Sequence, residues 1–474
     1  MFSSLNFIRL LGIVTVFLTG ATLYQYKYPA FCPWNSKGKL DLKINDGQLR
    51  HIVKSVVRET RPSHIAVLGD VFSNQWISNA EFAERLARFK WATGQDEGGF
   101  LSKDIPVFNL SGNHDIGYGR DTTRQMLDRW QAAFGAVNDR FTLTTDQYPH
   151  EVMLLNTQNL DTTNDQTIRD ETWHFLRKAV ADRWATDFAH PLVLLMHIPL
   201  YKPEGVCVDP PVFNRDHNGV VIDQTVLSPW ASQYILHCLR PTVILTGHDH
   251  EGCKVIHHVK RVAAERVGPT GGSKDHHHPS SSSSSSSSPT KPTDGGSSSN
   301  PAPEALTDED REVLRAWCHA PYRSLEADLP PIERRLEVSS RTFVGTPRAL
   351  ATTSQAQIRR YSGYRVPEIT VRSVMGDYGG NSGLFEIALE PPLRRLESGG
   401  NGGDNADDLD DASDMILRYY YRDCPFGHFV YFRGLLIADV VVAMLSAALV
   451  VIYLTLPGLW QSLVEPTVDF KKRS

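Results

Sequence analysis

The sequence predicts an α/β layered domain, on three observations: apolar runs of strand length, helical runs between them, and reactive side chains clustered where the strands end. Gln48 to Thr60 carries Leu49, Ile52, Val53, Val56 and Val57 at helical spacing, and Arg61-Pro62 stops it before the apolar stretch His64 to Gly69. This is a helix feeding a buried strand. The alternation continues with strand Ile105 to Leu110, helix Thr122 to Phe134, strand Glu151 to Asn156 and helix Thr167 to Val180. Strand Pro191 to His197, helix Ser228 to Leu239 and strand Thr242 to Thr246 complete it. Residues 38–262 therefore read as one domain.

After Val262 the periodic signal collapses. Residues 263–366 hold a serine tract (Ser280 to Ser288), three histidines (His276 to His278) and many Pro and Gly. Such a composition buries too little apolar surface to offset its ordering entropy, so a disordered low-complexity insertion is expected. Two alternating strands, Glu368 to Val374 and Gly383 to Leu389, flank the turn Gly379-Gly380-Asn381, and residues 367–392 are read as completing the same domain. An acidic, glycine-rich linker follows at 393–415.

The two ends carry membrane signals. Leu10 to Tyr24, between Arg9 and Lys27, makes residues 1–30 an N-terminal membrane anchor or a signal-peptide core. Gly434 to Leu456 has the ~20 apolar residues a bilayer helix needs. Aromatic residues border it (Tyr431, Phe432, Tyr453, Trp460), so residues 431–456 are expected to span the membrane. The tail 457–474 ends in Lys471-Lys472-Arg473-Ser474, which places it in the cytosol and resembles a dilysine retrieval signal of endoplasmic-reticulum proteins. With both segments spanning, everything between them is lumenal.

The net charge of -5, from 49 basic and 54 acidic residues, gives no electrostatic reason to expect nucleic acid. Six scattered cysteines without a C-x-x-C pair exclude a zinc ribbon or finger, and their pairing is not readable from sequence.

Four signatures follow apolar strands: Gly69-Asp70, Gly112-Asn113-His114-Asp115, His197 in Leu195-Met196-His197-Ile198-Pro199, and Gly247-His248-Asp249-His250. Each alone has an ordinary explanation, as a turn, a helix cap or a buried histidine. Together, at strand ends, they offer the carboxylate, amide and imidazole groups that suit divalent first-row metals.

In this order the four resemble the calcineurin-like metallophosphoesterase superfamily, over roughly Gly38 to His257. The resemblance implies a four-layer α/β sandwich, two mixed sheets flanked by helices, here placed between N- and C-terminal membrane helices. It implies metal ligation by Asp70, Asn113, His197, His248 and His250, with Asp70 bridging two ions, and a catalytic His114 that protonates the leaving oxygen. Asp115 would orient His114 or cap a helix. Neither the family's opening D-x-H nor the D-x-Q of some relatives is read before Asp70, where the only aspartates are Asp41 and Asp46. Either could serve as a single substitute ligand. The short distance from Tyr24 to the first helix favours a segment lost between the first apolar run and Gly38 over loss of one metal site.

A narrower resemblance rests on Leu68 to Trp76, Gly112 to Gly119, His197 to Tyr201, Gly205 to Asp209, Thr246 to Cys253 and Val374 to Gly376. These stretches are similar to the endoplasmic-reticulum phosphoesterases that remodel glycosylphosphatidylinositol (GPI) anchors. That likeness implies manganese, removal of ethanolamine phosphate from a lipid-linked glycan or GPI-anchored protein, and export of such proteins. The implied surroundings are a membrane bilayer and COPI retrieval machinery acting on the C-terminal lysines. A catalytically silent membrane scaffold or cargo-export factor that has lost the first metal motif is the alternative. Cys207 and Cys253 each stand near a metal signature, so a disulfide between their loops is conceivable, as are two free thiols. Tyr201 and Lys202 are read as exposed, with phosphate contact the functional alternative.

Overall fold

Leu192 to Met196 is buried at all five positions, as only a strand covered on both faces can be. This strand, β5 (Leu192–Met196), lies between β4 (Tyr148–Leu155) and β8 (Val243–Thr246), parallel to both. With β3 (Asp139–Thr145), β9 (Cys253–Arg261), β10 (Leu336–Thr342) and β11 (Tyr364–Thr370) they form a mixed seven-stranded sheet of order β10-β9-β11-β8-β5-β4-β3. The computed structural model describes residues 36–145, 148–261, 307–322, 336–342, 364–374, 381–390, 416–425, 441–448 and 450–451.

Successive side chains of a strand leave on opposite faces, and the two faces serve two cores. Met153, Leu155, Leu194, Met196 and Ile244 pack with Trp173, Leu176, Val180, Tyr234 and Trp317 of the helices α5 (Gln166–Ala185), α6 (Pro229–Tyr234) and α7 (Asp308–His319). Val152, Leu154, Val193, Leu195, Val243 and Leu245 face a second strand layer through Leu110, Tyr419 and Tyr421. That layer holds a parallel pair, β1 (Ile65–Val67) with β2 (Val107–Asn109), and an antiparallel pair, β12 (Asn381–Glu390) with β13 (Ile416–Pro425). A further small pair is β6 (Phe213–Arg215) with β7 (Val221–Gln224). A third apolar cluster, built on Phe72, Phe82 and Trp130, is drawn from α2 (Asn79–Thr93), α4 (Arg124–Phe134) and the loop after β1. The domain is thus the expected α/β fold with mixed sheets and helices.

Several elements differ from expectation. The first helix, α1 (Ser36–Thr60), begins twelve residues before Gln48. The stretch 263–366 was expected to lack structure, yet α7, β10 and the start of β11 lie within it. Helix α7 is capped by Thr307, opens on Asp308, Glu309 and Asp310, and buries Leu314, Trp317 and Cys318. Cys318 is disulfide-bonded to Cys238. The strands around Gly379-Gly380 are not partners of each other: β11 runs between β8 and β9, while β12 pairs with β13, downstream of the acidic linker.

The histidine triplet, the serine tract, residues 1–30, the linker 393–415 and the tail 457–474 lie outside the described residues. Of the expected span 431–456, residues 441–448, 450 and 451 are helical, with Val441, Val442, Met444, Leu445 and Val451 exposed. Among the described residues no helix is long and apolar enough to cross a membrane.

Candidate metal centre

Because β4, β5 and β8 are parallel, the chain leaves all three at one rim of the sheet, as it does from the parallel pair β1 and β2. His197 follows β5 by one residue and His248 follows β8 by two; Asp70 lies three beyond β1, and Asn113 opens the short helix α3 (Asn113–Ile116) after β2. Backbone conformation then sets the approach. Asp70 (φ 54°) and His248 (φ 74°) both sit in the left-handed region, which non-glycine residues rarely adopt outside constrained sites. The Asp70 carboxylate lies so close to Gly112 that a Cβ there would stand 2.1 Å from Oδ1. Gly69, at φ 98°, similarly leaves room for the His197 ring.

Two backbone carbonyls fix the imidazoles. Since a carbonyl oxygen only accepts, His197 donates from Nδ1 to Leu68 O at 2.6 Å, and His248 donates from Nε2 to Gln224 O at 2.8 Å. Their other nitrogens, His197 Nε2 and His248 Nδ1, then face each other at 3.2 Å as lone-pair acceptors when both rings are neutral. Asn113 Oδ1 lies 3.1 Å and Asp70 Oδ2 3.4 Å from the same His197 Nε2. Four acceptor groups thus converge on one point, and the ligand atoms of Asp70, His197 and His248 all lie within 4.8 Å of one another. Such a set repels itself unless a cation stands among it. The donor chemistry fits a divalent first-row metal.

Electrostatics report the same field. Burial alone would raise the Asp70 carboxyl, but the charge and hydrogen bond of His197 outweigh it and hold it well below the usual carboxylate range. Burial works against protonation of His197, yet Asp70 raises its pKa. Burial first, and then His197, push His248 down to about 3.

The remaining signature residues divide. His114 is exposed at the rim, and its backbone N–H donates to Asp70 Oδ1 at 3.0 Å. His250 lies in the loop just past His248 and is near enough for its charge to lower the His248 pKa, but it is outside the three-residue group that could hold one ion. Asp115 does not orient His114. Its carboxylate accepts from Gly112 N (2.7 Å) and from Phe72 N (2.8 Å), tying the loop after β1 to the start of α3. Burial and the nearby Asp70 raise it to about 7.

Asp46 is not a substitute ligand. The letters Asp46-Gly47-Gln48 spell D-x-Q, but they lie inside α1, where Asp46 accepts from Arg88 at 2.6 Å. The side chain of Asp41 lies outside the described residues. Lys202 is not exposed either: it is 3% exposed and pairs with Glu368 at 2.8 Å. Cys207 and Cys253 are disulfide-bonded, which joins the loop after His197 to the strand after His250.

Sequence reasoning missed the two carbonyls of Leu68 and Gln224, which no residue type encodes, and Tyr118, whose ring meets His248 edge-on at 6.2 Å. Tyr118 lies three residues past the Gly112-Asn113-His114-Asp115 signature, and an aromatic side chain between two glycines was the available signal.

Residues 41–252 match the calcineurin-like phosphoesterase family, and the chain carries that domain. Its relatives include an uncharacterised protein of Schizosaccharomyces pombe, 32% identical over half of this chain and 63% of that one. Protein TED1 of Saccharomyces cerevisiae is 27% identical over 47% of this chain and 61% of its own. Metallophosphoesterase 1 of Danio rerio is 27% identical over 46% and 60%. The chain therefore spans about three fifths of the length of these relatives.

Proposed function

We propose that this chain hydrolyses phosphoesters at the centre formed by Asp70, Asn113, His197 and His248, with a divalent cation of the manganese class. The observation that carries the proposal is the convergence of four acceptors, with the N–H donors of both imidazoles spent on backbone carbonyls. When bound, such an ion neutralises phosphoryl oxygens and lowers the pKa of a bound water. The chain's own contribution is placement: Leu68 and Gln224 lock the two rings, Asp115 fixes the loops carrying Asp70 and Asn113, and exposed His114 takes the role of proton donor to the leaving oxygen.

For substrate we propose ethanolamine phosphate on the glycan of GPI anchors, in the endoplasmic-reticulum lumen, with release promoting export of the anchored proteins. Membrane attachment at both ends and COPI retrieval through Lys471 and Lys472 belong to the same proposal. The stretches similar to the anchor-remodelling family support it, and the two disulfides suit an oxidising compartment.

Two observations favour a second reading, a catalytically silent scaffold: no D-x-H precedes Asp70 in the sequence, and His250 is outside the ion-holding group found among the described residues. Metal content and turnover of bis(p-nitrophenyl) phosphate by purified full-length protein separate the two. Bound manganese with turnover is the expected result, and His197→Ala should lower turnover by more than the roughly 100-fold that losing an outer support costs. One ion without turnover supports the scaffold. Turnover that persists undiminished in His197→Ala would rule this centre out.

A further inference from the structure

The chain enters and leaves the folded domain at one end, the end that carries the metal centre. At the exit, Pro425 closes β13 opposite Asn381. Asn381 N donates to Ser373 O at 3.0 Å, and Ser373 N donates to His250 O at 3.1 Å, two residues past His248. At the entry, α1 packs beside α2, with Arg88 on Asp46 at 2.6 Å and the Arg50 guanidinium over the Trp91 ring at 4.5 Å. The two contacts advance together along both helices, so α1 and α2 run in the same direction. Ser36 therefore opens α1 about level with Asn79, which opens α2 where the loop from Asp70 ends.

Each end lies a short way from an apolar run. Residues 426–433 separate Pro425 from the run 434–456, and residues 25–35 separate Ser36 from the run 10–24. Fully extended, these connections reach at most about 30 and 40 Å. Helix α1 alone is about 37 Å long. A domain of that height, tethered twice at its rim, holds the rim rather than its far end toward a bilayer containing the two runs.

The rim is also where large apolar side chains stand in water. Trp76 is 59% exposed and Val208 74%, and Tyr201 and Val374 are exposed as well. All four are on loops that leave at the rim: Trp76 after Asp70, Tyr201 and Val208 after His197, and Val374 after Ser373. The Cys207–Cys253 disulfide holds Val208 beside the loop that follows His248. Trp91, Tyr148 and Val313, also exposed, lie elsewhere. Single exposed apolar residues are ordinary, but four on the loops of one rim, where both connections leave, suit a headgroup boundary. The charges on these loops are Glu204, Asp209 and the Arg372–Glu251 pair at 3.1 Å, so anionic lipid would exert no attraction.

We infer that the metal rim docks on the surface of a lipid bilayer, with Trp76, Tyr201, Val208 and Val374 entering the interface and the centre opening onto it. The inference rests on the membrane attachment proposed above and not on hydrolysis. To test it, the full chain carrying Cys32→Ser and Cys424→Ser would be reconstituted into phosphatidylcholine vesicles. An environment-sensitive dye would be placed at Trp76→Cys, at Val374→Cys or, at the far end before β2, at Lys103→Cys. The protein should float with the vesicles. Lipids carrying a nitroxide about 5–10 Å below the headgroups should quench the dye at 76 and 374 and leave that at 103 bright. Val208→Asp should reduce quenching at 374 while the Tm stays as in the parent, and phosphatidylserine should not increase it. Flotation with all three dyes equally bright would overturn the docking, leave the attachment standing and assign the exposed loops to a protein partner. Failure to float would overturn the attachment, and the docking with it. Quenching at 374 that Val208→Asp leaves unchanged, or that requires phosphatidylserine, would overturn the apolar contact.

Discussion

Two buried acid–histidine clusters sit near the same end of the sheet and behave oppositely. In one, Glu368 on β11 accepts from Lys202 Nζ (2.8 Å), His257 Nε2 (2.5 Å) and Leu200 N (3.2 Å), so every acceptor has a donor. In the other, with both rings neutral, Asp70, Asn113, His197 and His248 present acceptors to one another, and the ring donors are spent on backbone carbonyls. The residue types are similar. What differs is the balance of donors and acceptors, and that balance separates a structural cluster from one shaped for a cation. Both bear on the same loop, since Leu200 and Lys202 follow His197 by three and five residues.

Breaking the satisfied cluster should have the largest effect on stability. Glu368→Ala leaves Lys202 and His257 buried without their partner, and a loss of about 3–5 kcal/mol is expected in chemical denaturation. A change under about 1 kcal/mol would mean that the cluster contributes no more than a surface pair.

The disulfides sharpen the contrast. Removing Cys238–Cys318 by double serine substitution should cost about 2–4 kcal/mol with metal affinity intact, because it fastens α7 behind the sheet. Removing Cys207–Cys253 should cost a similar amount but also weaken metal binding, since Cys253 lies three residues past His250. Equal metal affinity in the two variants would remove the link between that bridge and the rim.

A smaller effect depends on pH. Burial lowers His237 to about 3, and Arg240 adds to the shift. The unfolded chain takes up this proton near pH 6.5 and the folded chain does not, so its contribution is complete above 6.5 and is lost as pH falls toward 3. Stability should drop by up to about 1.4 kcal/mol per pH unit below 6.5, and the slope should flatten in His237→Leu. Glu368, also lowered in the fold, adds its own loss below its ordinary value of 4.5. The least effect is expected from Thr123→Ala, which removes the cap on Met126 N and should cost about 1 kcal/mol without touching the rim.

The rim was legible in the sequence because its chemistry is local: each signature carries its own ligand at a strand end, and three of the four hold a glycine turn beside it. Central strands were legible for a related reason, as Leu192–Met196 is apolar throughout. Helix α2 was also readable and went unread, with Ser78 capping, Phe82, Leu86 and Phe89 at helical spacing, and Gly94 ending it. Strand partners were not legible. β12 pairs with β13 across the acidic linker, and β10 joins β9 across the low-complexity stretch, and no local pattern encodes such long-range pairing. Helix α7 was masked by its neighbours, whose composition diluted a clear amphipathic turn. Asp46 misled in the other direction, since a ligand-type residue inside a helix was taken by Arg88.

The central claim is that the four converging acceptors hold a metal ion. Anomalous diffraction from crystals grown with manganese tests it most directly. A peak within about 2.0–2.3 Å of His197 Nε2, His248 Nδ1 and oxygens of Asp70 and Asn113 is predicted. A peak elsewhere, or none with Asp70 and His197 bonded directly to each other, would contradict it.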